Sequence, residues 1–439
     1  MSEHTEHKER EPKQQKQQQK KQKQTQQPSK EKQSQPKENS KQNINEESSS
    51  RQPRQRPTPK LALFDHLPPR APERGPCIQS DSSIHPAIVK LGALYKTGSI
   101  QDDDDRAYAL VVAFHNVISD YTTPPNKSLS WDLDKHVKTQ FQYLVNCRQH
   151  SMAMGNIVKF IRFAISEVPP EMNEADAKTI IADKLQNFLD ERIIYARENI
   201  NHHCADNIRD GDVILTFGSS PVLRGVLLHA ATVKKRTFSL VVVDSLPLQE
   251  GIRTLAALSP FIHCTYTPMA GASRAMKDAT RVLLGASALL SNGTIFAAAG
   301  TGMIACLAKN FRVPVIFAAE SYKFCEKVQL DSIVYNELGN YRELLKPDPS
   351  VDSQAFIPQE RMGFQGVDVA GSSGANGSIF SASSFGLESP IVPPPPFQVL
   401  NLRYDLTSMR NVSAVITEVG LIPPTSIPVL IRELRLDQR

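Results

Sequence analysis

Asp212-Val213-Ile214-Leu215-Thr216-Phe217-Gly218-Ser219-Ser220 is the stretch on which the fold turns. An apolar run of this length, set between an acidic turn and a join of small residues, fits a strand buried on both faces. The pattern recurs at residues 238–243, 262–266, 282–286 and 314–318. Between these runs lie segments such as 222–232 and 295–310, rich in Ala, Leu and Met and long enough for helices. Strand alternating with helix predicts right-handed crossovers and an α/β fold whose mainly parallel sheet is covered on both sides. Ligand sites in such folds gather at the carboxyl ends of the strands. Here those ends read Gly218-Ser219-Ser220, Asp244-Ser245, and Ser287 leading to Ser291-Asn292-Gly293.

Upstream of the sheet the spacing turns helical. Residues 84–95 carry apolar side chains at helical intervals, and Asp102, Asp103, Asp104 and Asp105 stand just before 107–118, where negative charge favours a helix N-terminus. Further helices are expected at 133–146, at 151–168 through Ile157, Ile161 and Ile165, and in a segment carrying Ile181, Leu185, Leu189, Ile193 and Ile200 on one face. Residues 81–205 thus read as a helical domain and 206–439 as the α/β domain. Gly, Ser and Pro clusters predict a flexible insertion at about 347–396. A strand is expected at 397–402, and 427–434 closes the molecule.

Composition bounds the rest. Residues 1–60 hold 15 Lys and Arg against 8 Asp and Glu, 14 Gln, and only Met1 and Ile44 as large apolar side chains. So little apolar surface does not offset the entropy of ordering, and a disordered tail is expected, continued to residue 80 by a proline-rich linker. The remaining residues carry 36 basic and 38 acidic groups, which gives no electrostatic ground for a nucleic-acid groove outside the tail. Six cysteines without a C-x-x-C pair suggest reduced thiols in the cytosol, with neither a zinc ribbon nor a disulfide framework. The polar, charged start and the lack of an apolar run near ~20 residues predict a soluble cytoplasmic protein without a membrane partner.

Motifs of general chemistry are few. Gly300-Thr301-Gly302 departs from the phosphate-loop patterns, although a helix N-terminus there would offer free amides to an anion. The four aspartates lack a second carboxylate or His cluster at fixed spacing, and His202-His203-Cys204 lacks a spaced partner, so capping and packing are the better readings. His115, His229 and His263 lie in apolar runs and read as core histidines.

Longer runs carry a family resemblance. They are Val241-Val242-Val243-Asp244-Ser245-Leu246-Pro247-Leu248, Gly285-Ala286-Ser287-Ala288-Leu289-Leu290-Ser291-Asn292-Gly293, Glu320-Ser321-Tyr322-Lys323-Phe324, and Tyr404-Asp405-Leu406-Thr407 with Thr417-Glu418-Val419-Gly420. They resemble the family that joins ribose-phosphate isomerases to the alpha, beta and delta subunits of translation initiation factor 2B, and most closely its delta branch. The resemblance implies a Rossmann-like α/β domain behind a helical N-terminal domain. It also implies a regulatory subunit of the guanine-nucleotide exchange factor that serves initiation factor 2.

The isomerase branch places a cysteine after the first sheet strand and an aspartate in a Gly-Ala-Asp motif. This chain has Gly218 and Ser287 there, so the resemblance implies a domain without the proton-transfer pair and without a cofactor. Arg148 is kept, but Leu246 stands where the isomerases carry a second arginine. Arg148, Ser219 and Asn292 are the candidates for a residual anion pocket; no metal ligands are expected. The implied partners are the homologous beta and alpha subunits, the catalytic gamma and epsilon subunits, and initiation factor 2 through its alpha subunit. Sensing of client phosphorylation would fall on the helical domain, where Arg148, Arg162 and Arg192 are candidate phosphate donors.

Overall fold

The computed structural model describes residues 66–67, 83–344 and 400–436. These belong to one compact unit, Thr58–Arg439. The expected tail and most of the linker, Cys77 and the insertion at 347–396 lie outside the described residues.

Six helices come first: α1 (Pro86–Thr97), α2 (Asp103–Asp120), α3 (Leu129–Cys147), α4 (Met152–Ser166), α5 (Glu174–Asn187) and α6 (Ala196–Ala205). Local chemistry sets their ends. Pro86 opens α1, the His85 ring accepts from the Ala87 amide, and Gly98 closes the helix at φ +72°. Ser151 caps α4 by accepting from the Met154 amide. Between α5 and α6 the winding changes to a π-helix over Phe188–Tyr195, an i→i+5 departure that periodicity does not foretell. Ile88, Leu110, Phe114, Leu133, Ile157 and Ile181 are fully buried where these helices meet. Burial of such side chains contributes about 1.5–3 kcal/mol each.

The second half alternates strand and helix: β1 (Val213–Phe217), α7 (Pro221–Thr232), β2 (Ser239–Asp244), α8 (Gly251–Leu258), β3 (His263–Pro268), α9 (Ala272–Met276), β4 (Arg281–Gly285), β5 (Ala288–Leu290), β6 (Ile295–Ala298), α10 (Thr301–Asn310), β7 (Val315–Ala318), β8 (Phe324–Cys325), α11 (Tyr341–Leu344), β9 (Tyr404–Thr407), β10 (Ala414–Thr417), β11 (Gly420–Ile422) and α12 (Ile427–Leu436). Seven strands form the main sheet in the order β11-β10-β7-β4-β1-β2-β3, all parallel except the β10–β11 hairpin. Chain order therefore runs outward from β1 to β3 and then jumps back to β4. That reversal is the switch point at which open α/β sheets place ligands. Separate apolar layers cover the two faces, one through Leu215, Val243 and Phe317, the other through Ile214, Leu240 and Val242.

Several expectations shift. The five predicted strands are present within one or two residues, but β3 is an edge, with His263 and Tyr266 exposed, so His263 is no core histidine. The helix expected over 295–310 splits into β6 and α10, because Gly300 takes φ +111° and the residues before it pair with β5 and β9. The strand expected at 397–402 falls instead at Tyr404–Thr407, antiparallel to β6. It belongs to a second sheet, β8-β5-β6-β9, which the apolar periodicity did not separate from the first. The aspartate run does not precede α2; Asp103, Asp104 and Asp105 form its first turn.

Candidate functional site

At the switch point the helical layer meets the carboxyl ends of β1 and β4 around a cavity of about 100 Å³. Its floor is sheet: Phe217, Ser219, Ser220, and Leu284 to Ser287. Gly285 is required here, since a Cβ would lie 2.6 Å from Ser220 Oγ. The opposite wall is the start of α2, Asp102 to Asp104, with Arg148 beside it, and Glu250, Arg403 and Tyr404 complete the lining.

Of the residues proposed for an anion pocket, the structure brings two together. Arg148 and Ser219 line the cavity, whereas Asn292 sits elsewhere. Its Nδ2 donates to Gln329 O at 2.9 Å and its Oδ1 accepts from the Thr294 hydroxyl at 2.7 Å. Asn292 shapes a turn. Arg148 is committed as well: Nε and Nη2 donate to the two Glu337 oxygens at 2.7 and 3.3 Å, and Nη1 donates to Ile100 O at 3.1 Å. Glu337 holds the Arg148 pKa above its ordinary value. The Ser219 hydroxyl accepts from Arg224.

The fields in the cavity come largely from carboxylates. Asp103 accepts from the Tyr404 hydroxyl at 2.9 Å and from Arg106 at 3.1 Å. Asp104 pairs with Lys323 at 2.6 Å. Asp102 has only distant cations, Arg253 at 3.9 Å and Arg224 at 4.0 Å. Burial, reinforced by Asp105, raises the Asp102 pKa, and burial reinforced by Asp102 raises that of Glu250. A phosphate entering here meets Asp102 and Glu250, Asp103 and Asp104 already paired with cations, Arg148 engaged by Glu337, and Arg403.

The N-terminus of α10 is also occupied. Asp405 Oδ2 accepts from the Gly300 and Gly302 amides at 2.8 and 2.9 Å. Free amides at Gly300-Thr301-Gly302 are thus supplied with an anion by β9. Burial pushes the Asp405 carboxyl up to about 6 against those two hydrogen bonds.

Sequence reasoning missed Asp102 to Asp104 as cavity wall, and missed Glu250, Arg403 and Asp405. Only the run of four aspartates was a visible signal, and its partners lie far along the chain. Among the described residues no group of three or more His, Cys, Asp or Glu could hold a metal ion, and no helix is long and apolar enough to cross a membrane. His202 packs its ring edge-on to His229 with centroids 4.4 Å apart. Of the candidate phosphate donors, Arg162 pairs with Asp134 at 2.6 Å, while Arg192 has no ion pair among the described residues.

A family model described as the initiation factor 2 subunit family matches residues 99–424. The chain belongs to the initiation factor 2 subunit family. Translation initiation factor eIF2B subunit delta of Schizosaccharomyces pombe is 34% identical over 377 residues, covering 86% of this chain and 74% of that protein. A ribose 1,5-bisphosphate isomerase of Methanocaldococcus jannaschii is 25% identical over 282 residues, covering 64% of this chain and 75% of the isomerase. Among solved structures, a chain of the tetrameric eIF2B-beta2-delta2 complex from C. thermophilum superposes with a TM-score of 0.65 at 26% identity, covering 82% of this chain and 97% of that one. The chain is thus similar both to translation initiation factor subunits and, at lower identity, to an isomerase. In this member the two positions compared with the isomerases, Gly218 and Ser287, sit at the ends of β1 and β4 with no ionisable side chain.

Proposed function

We propose that this chain is a noncatalytic regulatory and scaffolding subunit of the guanine-nucleotide exchange factor for translation initiation factor 2. The observation that carries the reading lies at the switch-point cavity, where Gly218 and Ser287 follow β1 and β4 and Arg148 is already engaged by Glu337. Gly218 and Ser287 supply neither the acid nor the base of an isomerisation at neutral pH. Similarity to eIF2B subunit delta of Schizosaccharomyces pombe supports assignment to the delta class.

In this reading the α/β half, residues 206–439, assembles with homologous beta and alpha subunits and with the catalytic gamma and epsilon subunits. The solved structure this chain superposes on at a TM-score of 0.65 is a chain of a beta2-delta2 tetramer, which supports this assembly. The helical half, residues 81–205, contacts initiation factor 2 through its alpha subunit and senses its phosphorylation in the cytosol, as part of the integrated stress response. Arg192 is the donor best placed for that role, since Arg148 and Arg162 already hold carboxylates.

Co-expression with the homologous beta subunit followed by native mass spectrometry tests the assembly. A hetero-oligomer of fixed stoichiometry is expected, and a persistent monomer beside an unbound partner refutes it. One observation favours a second, enzymatic reading: Asp102 and Glu250 are half-buried carboxylates whose pKa values burial raises, in a cleft. Turnover of ribose 1,5-bisphosphate by the purified chain would establish that alternative, a sugar-phosphate isomerase.

A further inference from the structure

A second cavity, also about 100 Å³, opens where α4, the π-helix, the segment Ser321–Cys325 and α12 converge. It is separate from the switch-point cavity and plays no part in the assembly reading above. Its walls are aromatic. The Phe160 and Phe188 rings lie with centroids 4.7 Å apart, and Tyr322 meets Phe188 edge-on at 6.4 Å. Phe188, Tyr322 and Phe324 are 6–8% exposed, so the apolar surface is deep. Asn156 holds the far wall in place by donating from Nδ2 to Tyr322 O at 3.0 Å and Phe324 O at 2.7 Å.

Two cations line the cavity beside these rings, Lys159, which is exposed, and Arg192, which is half-buried. Neither has a hydrogen bond or ion pair through its side chain among the described residues. Most of the buried or half-buried arginines of this molecule do: Arg106, Arg148, Arg197 and Arg281 each lie within 3.1 Å of a carboxylate. Phe188 and Arg192, four residues apart in the π-helix, both line the cavity. Glu326 is the single carboxylate on the lining and is exposed.

Size and charge together select a ligand. The cavity, about 100 Å³, is smaller than the closed apolar cavity of about 150 Å³ that accommodates benzene; it is open to solvent, so a single ring is the largest apolar group it can take, with its substituent outside. A ring seated among Phe160, Phe188 and Tyr322 would gain offset and edge contacts, with an acidic substituent left at the mouth beside Lys159 and Arg192. We propose that this cavity is a binding site for a small monocyclic aromatic acid, one ring bearing a phosphate or carboxylate. Arg192 is shared with the sensing role proposed above, but a phosphoserine side chain lacks the ring that fills the deep part, and the ringless phosphates in the titration below separate the two readings.

Phenyl phosphate is the probe, titrated calorimetrically into the full chain beside inorganic phosphate and O-phosphoserine. Expected are saturable 1:1 binding of phenyl phosphate, and affinities at least about tenfold weaker for the two phosphates without a ring. The variant Lys159→Ala/Arg192→Ala removes only unpaired side chains and should keep the parent melting temperature while losing about tenfold in affinity. Phe160→Ala, at a half-buried position, should weaken phenyl phosphate and leave inorganic phosphate unchanged. Absence of phenyl phosphate binding, equal binding of the ringless phosphates, or unchanged binding by the double variant would overturn the proposal.

Discussion

Lys323 Nζ lies 2.6 Å from Asp104 Oδ1 in a site where neither side chain is more than 6% exposed, and this contact joins the first turn of α2 to the segment after β7. Glu320 adds a second oxygen at 2.8 Å, Arg197 reaches Glu320 from α6 at 2.9 Å, and the Tyr322 hydroxyl donates to Asp104 at 3.2 Å. Lys323 and the Tyr322 hydroxyl hold the Asp104 pKa below its usual range despite burial, and the two carboxylates hold Lys323 above its own. The helical and sheet halves are therefore joined through buried charge. Removing one partner leaves another uncompensated, which costs about 3–5 kcal/mol. Lys323→Met should lower stability by that amount in urea denaturation. Adding Asp104→Asn should recover at least about 1 kcal/mol relative to additivity, since Glu320 still keeps Arg197. Strict additivity would show that the pair does not act as a unit.

Asp405 should give the chain an unusual pH response. Its folded pKa of about 6 lies above the ordinary 3.8, so the folded state binds this proton more readily than the unfolded state. Its ionised form therefore lowers stability above pH 6, and that loss is relieved as pH falls from 6 towards 4. Asp405→Asn retains an acceptor for the Gly300 and Gly302 amides and removes the buried charge. The stability difference between variant and parent should move in favour of the parent by roughly 2 kcal/mol between pH 7.5 and 4.5. A difference independent of pH would refute the assignment.

His150 works in the opposite sense. Burial, helped by Lys327 and Arg106, lowers its pKa from 6.5 to about 4, and its ring packs edge-on to Phe141 at 5.4 Å. The unfolded chain takes up this proton first, so stability falls as pH drops from 6.5 towards 4 and is not affected by this group above 6.5. Thermal melts of His150→Gln should show less acid sensitivity than the parent in that window, by roughly 2 kcal/mol. Parallel pH profiles would count against a buried neutral imidazole.

The switch-point cavity should resist conversion back to an isomerase. Gly218→Cys with Ser287→Asp restores the two residue types found in the isomerase branch. Asp102 to Asp104 still line the wall, and Asp405 still holds the α10 amides. No turnover of ribose 1,5-bisphosphate is expected from either the parent or the double variant. Turnover by the double variant would show that the lost pair alone separates this chain from an enzyme, and that the acidic wall is no barrier.

The strands of the main sheet were legible because burial on both faces leaves apolar runs of strand length, as at Ile214 and Leu215 or Val242 and Val243. Helical spacing exposed α4 and α5 for the same reason. The break at Gly300 was harder to read, since Ile295–Ala298 is equally apolar as a strand or as helix, and only pairing with β9 decides it. Asn292 reads from sequence as an anion-pocket residue, because it follows a strand carrying the family motif. That strand, β5, lies in the second sheet, which turns Asn292 towards Gln329 instead.

By itself the sequence determined the α/β class, the helical region ahead of it and the family. Each is written in local pattern or in residue identity, and neither needs a long-range partner to be seen. Tertiary structure alone decided that Asp104 faces Lys323, that Arg148 faces Glu337, and that Asp405 fills the helix terminus at Gly300. Charge pairing in a buried site depends on which side chains the fold brings within about 3–4 Å, and these partners are far apart in the chain.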